Sequence, residues 1–296
     1  MKLSVRFLVL SVVVVLLVGS VTPKEVDFGP EVPTELSNTI YEPSDDVKHL
    51  LMEENENKLA TVGYDLFPGQ IPYHAEVGVK TKGSSGLHIR AGTLVTPSFV
   101  LMPAYFLGNM LFNYEFDYGE IGLGAGFGDG TQWEQRINFT MNGIRFHPLY
   151  RYPSTELNNI ALIRMEHPAT VSTFVKPIRL PAASDDRTFE LMEGTTIGAY
   201  VSNDPKYARN EVMENAKCMA GRPSEVADQH LCTNPYIGGS FCNIQYGSSL
   251  AIEDETGPVL VGTGVLVHYC TFTNPNQFVR VSFFRDWIQM NSDYED

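Results

Sequence analysis

Short apolar runs separated by turn residues dominate the chain from Thr61 onward. Four of these runs are Ala75 to Val79, Gly92 to Val95, Ile160 to Ile163 and Val259 to Gly262. Strands that are this short and this frequent are typical of an antiparallel β-barrel or β-sandwich. The pattern therefore predicts that most of the chain folds as an all-β body.

The apolar positions change to a helical period near the end of the chain. Phe283, Phe284, Trp287 and Ile288 stand at spacings that place them on one face of a helix. This spacing predicts a C-terminal α-helix over about residues 282–290, packed on the strands.

The first twenty residues have the organisation of a secretory signal peptide. Lys2 and Arg6 form a basic start, an apolar run follows from Phe7 to Val18, and small residues occupy 18–20. The run is too short to span a bilayer. We therefore predict a signal peptide at residues 1–20 and a secreted, extracellular mature chain whose cysteines form disulfides.

Residues 21–60 form a segment of different composition, with ten acidic residues against three lysines and four prolines. Ser44 is a candidate N-cap for one short amphipathic helix within it. We interpret the segment as an extended acidic N-terminal arm. Two interpretations stay open, namely a solvated linker, or a propeptide remnant or docking arm for a basic partner.

Acidic residues also outnumber basic ones over the whole chain. The sequence has 35 Asp and Glu against 21 Lys and Arg, which gives a formal net charge of −14. Nucleic acids and anionic membranes bind basic surfaces, so the charge balance argues against both as partners. With 43% apolar and 19% charged residues, the chain is expected to bury a core rather than stay disordered.

The sequence contains four cysteines and one N-glycosylation sequon, at Asn138. The cysteines are Cys218, Cys232, Cys242 and Cys270, and four cysteines allow three pairings. In a secreted chain the sequon predicts a glycan on a surface loop or an exposed strand edge.

Seven short segments follow one another in a recognisable order along the chain. They are Gly69 to Tyr73, Ala91 to Val95, Phe146 to Tyr150, Asn159 to Arg164, Lys176 to Pro181, Phe278 to Val281 and the Trp287-Ile288 helix. In this order the chain from about 61 to 290 resembles the chymotrypsin-like (trypsin, peptidase S1) serine protease family, especially its arthropod members. The resemblance implies two perpendicular six-stranded antiparallel β-barrels, at about 61–180 and 181–283, with a cleft between them.

The resemblance also implies a disulfide pattern. It selects the pairs Cys218–Cys232 and Cys242–Cys270 within the second barrel. Family members usually carry another bridge beside the catalytic histidine, and its two positions match Arg90 and Phe106. Both partners are missing together, so no stray thiol is left.

The resemblance places the catalytic triad of the family at three positions of this chain. The histidine matches Tyr105, the aspartate matches Asn159 and the serine matches Tyr246. The family's chemistry needs a nucleophilic hydroxyl, an imidazole base and a carboxylate that orients the imidazole. A tyrosine phenol, with a reference pKa of about 10, is a poor base near neutrality. An asparagine at the aspartate position costs about 10⁴ in turnover even beside a histidine.

Further positions depart from the family pattern. The oxyanion-hole glycine matches Ile244, the aspartate of the activation ion pair matches Gln245, and no basic residue directly precedes Thr61. The floor of the specificity pocket matches Ser240. We therefore predict an inactive member of a serine endopeptidase family, not an enzyme, with no cofactor and no metal site.

One alternative is that the chain is an enzyme with a displaced catalytic serine. Ser248 and Ser249 follow the nucleophile position by two and three residues, and His88 and His147 are the nearest candidate bases. We interpret both histidines as surface or packing residues. A residual serine hydrolase that uses a displaced serine is therefore kept only as an alternative.

The leading functional interpretation is a secreted serine protease homologue that acts by binding other proteins. Arthropod proteins of this kind resemble regulators of extracellular protease cascades and innate immunity, whose partners include an active protease, its substrate or an immune receptor. Most such regulators carry a six-cysteine clip module, which residues 21–60 lack. The alternative is a salivary effector of a blood-feeding arthropod that modulates host haemostasis or immune cells.

Overall fold

The computed structural model describes residues 64–67, 69–125, 133–197, 206–234, 246–266 and 275–296. Several sequence predictions lie outside these residues and stay predictions. They are the signal peptide, the acidic arm, and the positions Ser240, Cys242, Ile244, Gln245 and Cys270.

The described body consists of two antiparallel sheets with seven strands each. The chain begins with β1 (Tyr64–Asp65), which belongs to the second sheet. The strands of the first sheet are β2 (His74–Thr81), β3 (His88–Thr96), β4 (Phe99–Met102), β5 (Phe116–Ala125), β6 (Trp133–Phe139), β7 (Ile144–Phe146) and β8 (Ala161–Arg164). They lie in the order β6-β5-β2-β3-β4-β8-β7.

The second sheet is formed mainly by the C-terminal half of the chain. Its other strands are β9 (Glu193–Ile197), β10 (Lys206–Glu211), β11 (His230–Thr233), β12 (Ser249–Asp254), β13 (Gly257–Leu266) and β14 (Asn276–Arg280). The order is β1-β10-β9-β12-β13-β14-β11.

The expected architecture of two curled antiparallel sheets is confirmed, with two differences in detail. Each sheet has seven strands within the described residues, where the resemblance implied six. Tyr64 and Asp65 pair with Tyr207 and Lys206 of β10, although the sequence boundaries placed them in the first barrel. Backbone pairing decides sheet membership, and this pairing joins residues far apart in the chain.

Alternation along the strands explains how the core forms. On β2 the side chains of Ala75, Val77 and Val79 are fully buried, while Glu76 and Lys80 point to the other face. The buried side chains of β2 belong to an apolar cluster within the first sheet. A second apolar cluster contains residues of both sheets, for example Leu101 of β4 and Val279 of β14. Burial of this shared cluster holds the two sheets together.

Four α-helices and two single turns of 3₁₀ helix lie in the described residues. The helices are α1 (Ala104–Asn113), α2 (Asn215–Cys218), α3 (Ser224–Asp228) and α4 (Arg285–Asn291), and the 3₁₀ turns are Met141–Gly143 and Ser282–Phe284. The last turn and α4 confirm the predicted C-terminal helix, whose Trp287 and Ile288 pack into the shared cluster. None of the helices in the described ranges is long and apolar enough to cross a membrane.

A disulfide joins Cys218 at the end of α2 to Cys232 in β11, with the two Cα atoms 5.9 Å apart. Asn138, the sequon residue, is exposed and lies on β6, at one edge of the first sheet. The position suits the predicted glycan, which itself stays a prediction.

Candidate functional site

The position matched to the family's histidine lies at the start of α1. Pro103 stands directly before the helix, where proline is tolerated because the first N–H groups of a helix lack intrahelical partners. Tyr105 follows in the first turn, and its backbone N–H donates to Oδ1 of Asn159 at 2.8 Å. A side chain from another part of the fold thus satisfies one of the unpaired amides of the helix.

The position matched to the family's aspartate is fully buried. Asn159 is 0% exposed and lies two residues before β8. Its Nδ2 donates to the carbonyl oxygen of Thr155 at 2.9 Å, while Oδ1 accepts from Tyr105. An amide satisfies both neighbours because it carries a donor and an acceptor, whereas an ionised carboxylate only accepts.

The position matched to the family's serine completes this group. The hydroxyl oxygen of Tyr246 accepts from Nδ2 of Asn159 at 3.1 Å, and the hydroxyl also donates to Oδ1 at 3.3 Å. The ring centroids of Tyr246 and Tyr105 are 6.2 Å apart. The three matched positions therefore meet in space, and we call Tyr105, Asn159 and Tyr246 the corner.

Partial burial keeps the phenol of Tyr246 protonated to a higher pH than a phenol in water. Removal from water disfavours the phenolate and raises the pKa of Tyr246 well above the usual range of a phenol. The hydroxyl is protonated at neutral pH, as in any phenol, and donates a hydrogen bond to Asn159. The side chain packs against apolar residues of both sheets.

Gly247 determines where Tyr246 sits. Its φ of +92° lies in the region that favours glycine, and a Cβ at this position would come within 1.9 Å of the carbonyl oxygen of Ala91. The amide of Ala91 donates to the carbonyl of Tyr246 at 3.1 Å, and the amide of Gly247 donates to Gly264 at 2.8 Å. These contacts tie β3 of the first sheet to β13 of the second.

Two aromatic side chains that the sequence analysis did not single out extend the corner towards solvent. The ring of Tyr105 stacks on Tyr152 at 5.9 Å, and Tyr152 stacks on Phe112 at 5.2 Å. Phe112 is 67% exposed. We call Tyr246, Tyr105, Tyr152 and Phe112 the aromatic row. Tyr105 and Phe112 are seven residues apart, which is two helical turns and places both on one face of a helix. This spacing is a sequence signal for two of the four members of the aromatic row.

The two positions matched to the missing disulfide are also neighbours. The guanidinium carbon of Arg90 lies 5.5 Å from the ring centroid of Phe106. A cation–π contact at an exposed site contributes about 0.5–1 kcal/mol, compared with about 2–4 kcal/mol for a typical disulfide. A weaker non-covalent contact thus links β3 to α1 at this place.

Neither displaced serine forms a hydrogen bond with a candidate base within the described residues. Ser248 and Ser249 are buried, and neither hydroxyl has a hydrogen-bond partner among the described residues. The ring of His88 contacts Tyr114 at 5.8 Å. His147 packs edge-on against Phe284 and Trp287, so both histidines are packing residues.

The described corner thus offers hydrogen-bonding groups and an aromatic surface. The side-chain polar atoms of Asn159 and Tyr246 are paired with one another or with backbone, and the rings lead outward to the exposed Phe112. Within the described ranges, no group of three or more His, Cys, Asp or Glu side chains is arranged to hold a metal ion.

Three curated relatives show what the chain resembles in sequence. It is 25% identical over 236 residues to Collagenase of Hypoderma lineatum, covering 78% of this chain and 86% of that protein. It is 26% identical over 284 residues to Chymotrypsin of Phaedon cochleariae, covering 90% and 95%. It is 28% identical over 242 residues to Chymotrypsin-like elastase family member 3A of Homo sapiens, covering 77% and 86%.

Two solved structures share the fold. HL collagenase superposes with a TM-score of 0.63 at 22% identity, covering 79% of this chain and 99% of that chain. A protein designated GrC superposes with a TM-score of 0.63 at 20% identity, covering 78% and 99%. Both matches extend over nearly the whole of the other protein.

These relatives correct one sequence prediction. We predicted that the chain is not an enzyme, and that prediction is contradicted, because the relatives carry the names of proteases. The prediction was drawn from side-chain replacements at a few positions and from one mechanism. Residues 235–245, which include the positions matched to the oxyanion hole and the pocket floor, lie outside the described residues.

A family model supplies the broadest match. The model described as Trypsin matches residues 61–288, which includes both sheets and most of α4. It thus extends across every position of the corner and the aromatic row. The chain belongs to the trypsin family.

Proposed function

We propose that this protein is a secreted binding protein built on the trypsin-family fold, which regulates an extracellular protease cascade or an innate immune response by contact with another protein. The observation that carries the proposal is the aromatic row, which runs from the half-buried Tyr246 to the exposed Phe112. Family membership and the disulfide between Cys218 and Cys232 support the extracellular setting.

The chemistry of the row suits a protein partner. Tyrosine and phenylalanine are enriched at protein interfaces, since each ring supplies a large contact area at little cost in side-chain entropy. Phe112 in the last turn of α1 is 67% exposed, and Tyr114, the C-cap of that helix, is 50% exposed. Large apolar side chains that are exposed together indicate an interaction surface.

The hydrogen bonds of the corner also support the proposed binding of a protein partner. Asn159 accepts a hydrogen bond from the amide of Tyr105 at the start of α1 and donates one to the hydroxyl of Tyr246, which hold both in place. A surface that is already ordered before binding loses less entropy when the partner docks.

The test is capture of a partner from extracellular fluid of the source organism. We expect saturable binding to the immobilised mature protein and a loss of about tenfold or more in affinity for Phe112→Ala. Phe67→Ala is the matched control, because Phe67 is 69% exposed and lies outside the row. Failure to recover any saturable partner, or equal effects of the two variants, would contradict the proposal.

A second candidate function is peptide-bond hydrolysis, favoured by relatives named Collagenase and Chymotrypsin. Ser248 is the candidate nucleophile that the sequence offers. The test is labelling by a fluorophosphonate probe together with cleavage of peptide libraries. Labelling that disappears in Ser248→Ala would support hydrolysis, and a protein that neither labels nor cleaves would exclude this candidate.

A further inference from the structure

Two exposed arginines lie beside the aromatic row, and neither forms an ion pair with a described residue. Arg90 on β3 has its guanidinium carbon 5.5 Å from the ring centroid of Phe106, the neighbour of Tyr105 in α1. Arg151 directly precedes Tyr152 of the row. Other arginines of the described residues each pair with a carboxylate, namely Arg136, Arg179, Arg187, Arg209, Arg222 and Arg285.

Backbone carbonyls hold both guanidinium groups from one side. Nη1 of Arg90 donates to the carbonyl oxygen of Ile89 at 2.6 Å. Nη1 of Arg151 donates to the carbonyl oxygens of Pro148 and Tyr150, each at 2.8 Å. Among the residues that the structure describes, no group bonds to Nε or Nη2 of either arginine. Each guanidinium therefore presents a free edge with two N–H groups side by side.

The same guanidinium edge binds a carboxylate elsewhere in this protein. Nε of Arg187 donates to Oδ1 of Asp185 at 2.8 Å, and its Nη2 donates to Oδ2 at 2.5 Å. Paired N–H···O bonds of this kind match the two oxygens of a carboxylate and are stronger than single neutral hydrogen bonds. The free edges of Arg90 and Arg151 therefore suit a carboxylate from another molecule.

The two arginines lie on different sides of α1, with the aromatic row between them. Phe106 of the helix contacts Arg90. Gly108 lies against the side chain of Tyr150, whose carbonyl accepts from Arg151. Positions 106 and 108 are about 200° apart around a helix of 3.6 residues per turn. A ligand that covers the row thus meets an aromatic surface flanked by cations, and interface hot spots are rich in tyrosine and arginine.

The charges near the row are positive in balance. Three acids lie within five positions of a member of the row along the chain: Glu115, Asp117 and Glu156. Glu115 pairs with Lys82, and Glu156 pairs with Arg222. With the two flanking arginines, bases outnumber acids here by four to three, in a chain whose net charge is −14. Exposed charges more than about 8 Å away are largely screened at physiological salt, so the near charges decide which ligand is attracted.

We propose that the aromatic row and its flanking arginines bind an acidic segment of a protein partner, in which an apolar side chain stands between two carboxylates. The inference rests on the proposed binding function and names the chemistry of the partner. The carboxylates bind the free edges of Arg90 and Arg151, and the apolar side chain packs on the exposed rings of the row.

Amide NMR of the full mature protein tests this with small probes. The acidic probe is the tripeptide N-acetyl-glutamyl-phenylalanyl-glutamate amide, and its analogue with glutamine at both ends is the uncharged control. We expect saturable shifts of the amide signals of Arg90, Phe112 and Tyr152 with the acidic probe, and binding of the analogue weaker by about fivefold or more. A heparin disaccharide, which carries anions without an aromatic ring, is the third probe and should bind more weakly than the acidic peptide.

Four variants sharpen the test. Arg90→Gln and Arg151→Gln each remove one guanidinium, and each should weaken binding of the acidic peptide about fivefold or more. Arg90→Lys keeps the charge but lacks the paired N–H edge, so it should recover only part of the loss. Arg164→Gln is the matched control and should leave binding unchanged, because Arg164 is exposed at the end of β8 opposite Phe99, away from α1. A thermal melt of each variant verifies that the fold is retained.

The outcomes separate this inference from the proposed function. Equal binding of the two peptides, or equal effects of the glutamine variants at the flanking arginines and at Arg164, would overturn the acidic-segment site. A heparin disaccharide that binds as tightly as the acidic peptide would overturn a protein segment as the ligand. Capture of a partner without binding of the acidic peptide would overturn this inference alone. Peptide binding without any captured partner would support the site and contradict the proposed function.

Discussion

Acidification should destabilise this protein through His74, a buried side chain at the start of β2. His74 is 5% exposed, and neither ring nitrogen has a hydrogen-bond partner among the described residues. Thr93, directly opposite on β3, also has a hydroxyl without a partner. Burial without compensation disfavours the imidazolium and lowers the pKa of His74 from 6.5 to about 4.

The sign and size of the effect follow from linkage. Because the folded-state pKa is below the unfolded one, the unfolded chain binds the proton more readily, and stability falls as the pH falls below about 6.5. The stability due to the neutral ring is fully present above that pH. About 2 kcal/mol is lost by pH 5 and about 3 kcal/mol by pH 4, with little further loss from this residue below pH 4.

The assay is urea unfolding at several pH values between 4 and 8, with His74→Phe as the test variant. Phenylalanine fills a similar volume and does not titrate, so the variant should lose about 2 kcal/mol less than the parent between pH 7.5 and pH 5. His167→Gln, at an exposed position, is the matched control and should keep the parent's slope. Burial also lowers the pKa values of His147 and His230, but both residues are present in parent and variant and cancel in the difference. Identical slopes for His74→Phe and the parent would refute the reasoning.

Three further substitutions test the corner and its surroundings by thermal or urea unfolding. Asn159→Asp should lower the free energy of unfolding at pH 7 by about 1–3 kcal/mol, since it buries a charge. This loss should become smaller at low pH, because burial raises the pKa of the new carboxyl group. Once protonated, that carboxyl donates a hydrogen bond as the amide of Asn159 does. A deficit that does not change with pH would contradict this. Gly247→Ala should cost more than about 3 kcal/mol, from the positive φ and the 1.9 Å approach to Ala91, and a loss below about 1 kcal/mol would be inconsistent with that contact. Cysteines at both Arg90 and Phe106 should form a disulfide that adds about 3 kcal/mol for a loop of about 15 residues; unchanged melting with and without reductant would show that the two positions do not meet.

The β-rich body and the C-terminal helix could be predicted from the sequence because both depend on local patterns, whereas the helices α1, α2 and α3 were not predicted. Alternation on β2 and the helical spacing of Trp287 and Ile288 each extend over less than about ten residues, and burial of an apolar face follows from either period. The same local segments carried the family resemblance, which a family model of residues 61–288 confirms. Inferring catalytic status from the residue types at three positions went further than local pattern allows.

The neighbours across the fold could not be predicted in the same way. Asn159 bonds to Tyr105 and Tyr246, which are 54 and 87 residues away in the chain. No periodicity links such positions, and only the family resemblance indicated that the three would meet. Glu76 and Glu120 face the same side only in the observed register of β2 and β5, because a one-residue slip of either strand would turn its own glutamate to the opposite face. The sequence by itself determined strands, the C-terminal helix and the acidic balance, since these follow from local spacing and composition. Only the tertiary structure decided which side chains meet, because strand register and the packing of two sheets bring together residues that the chain keeps apart.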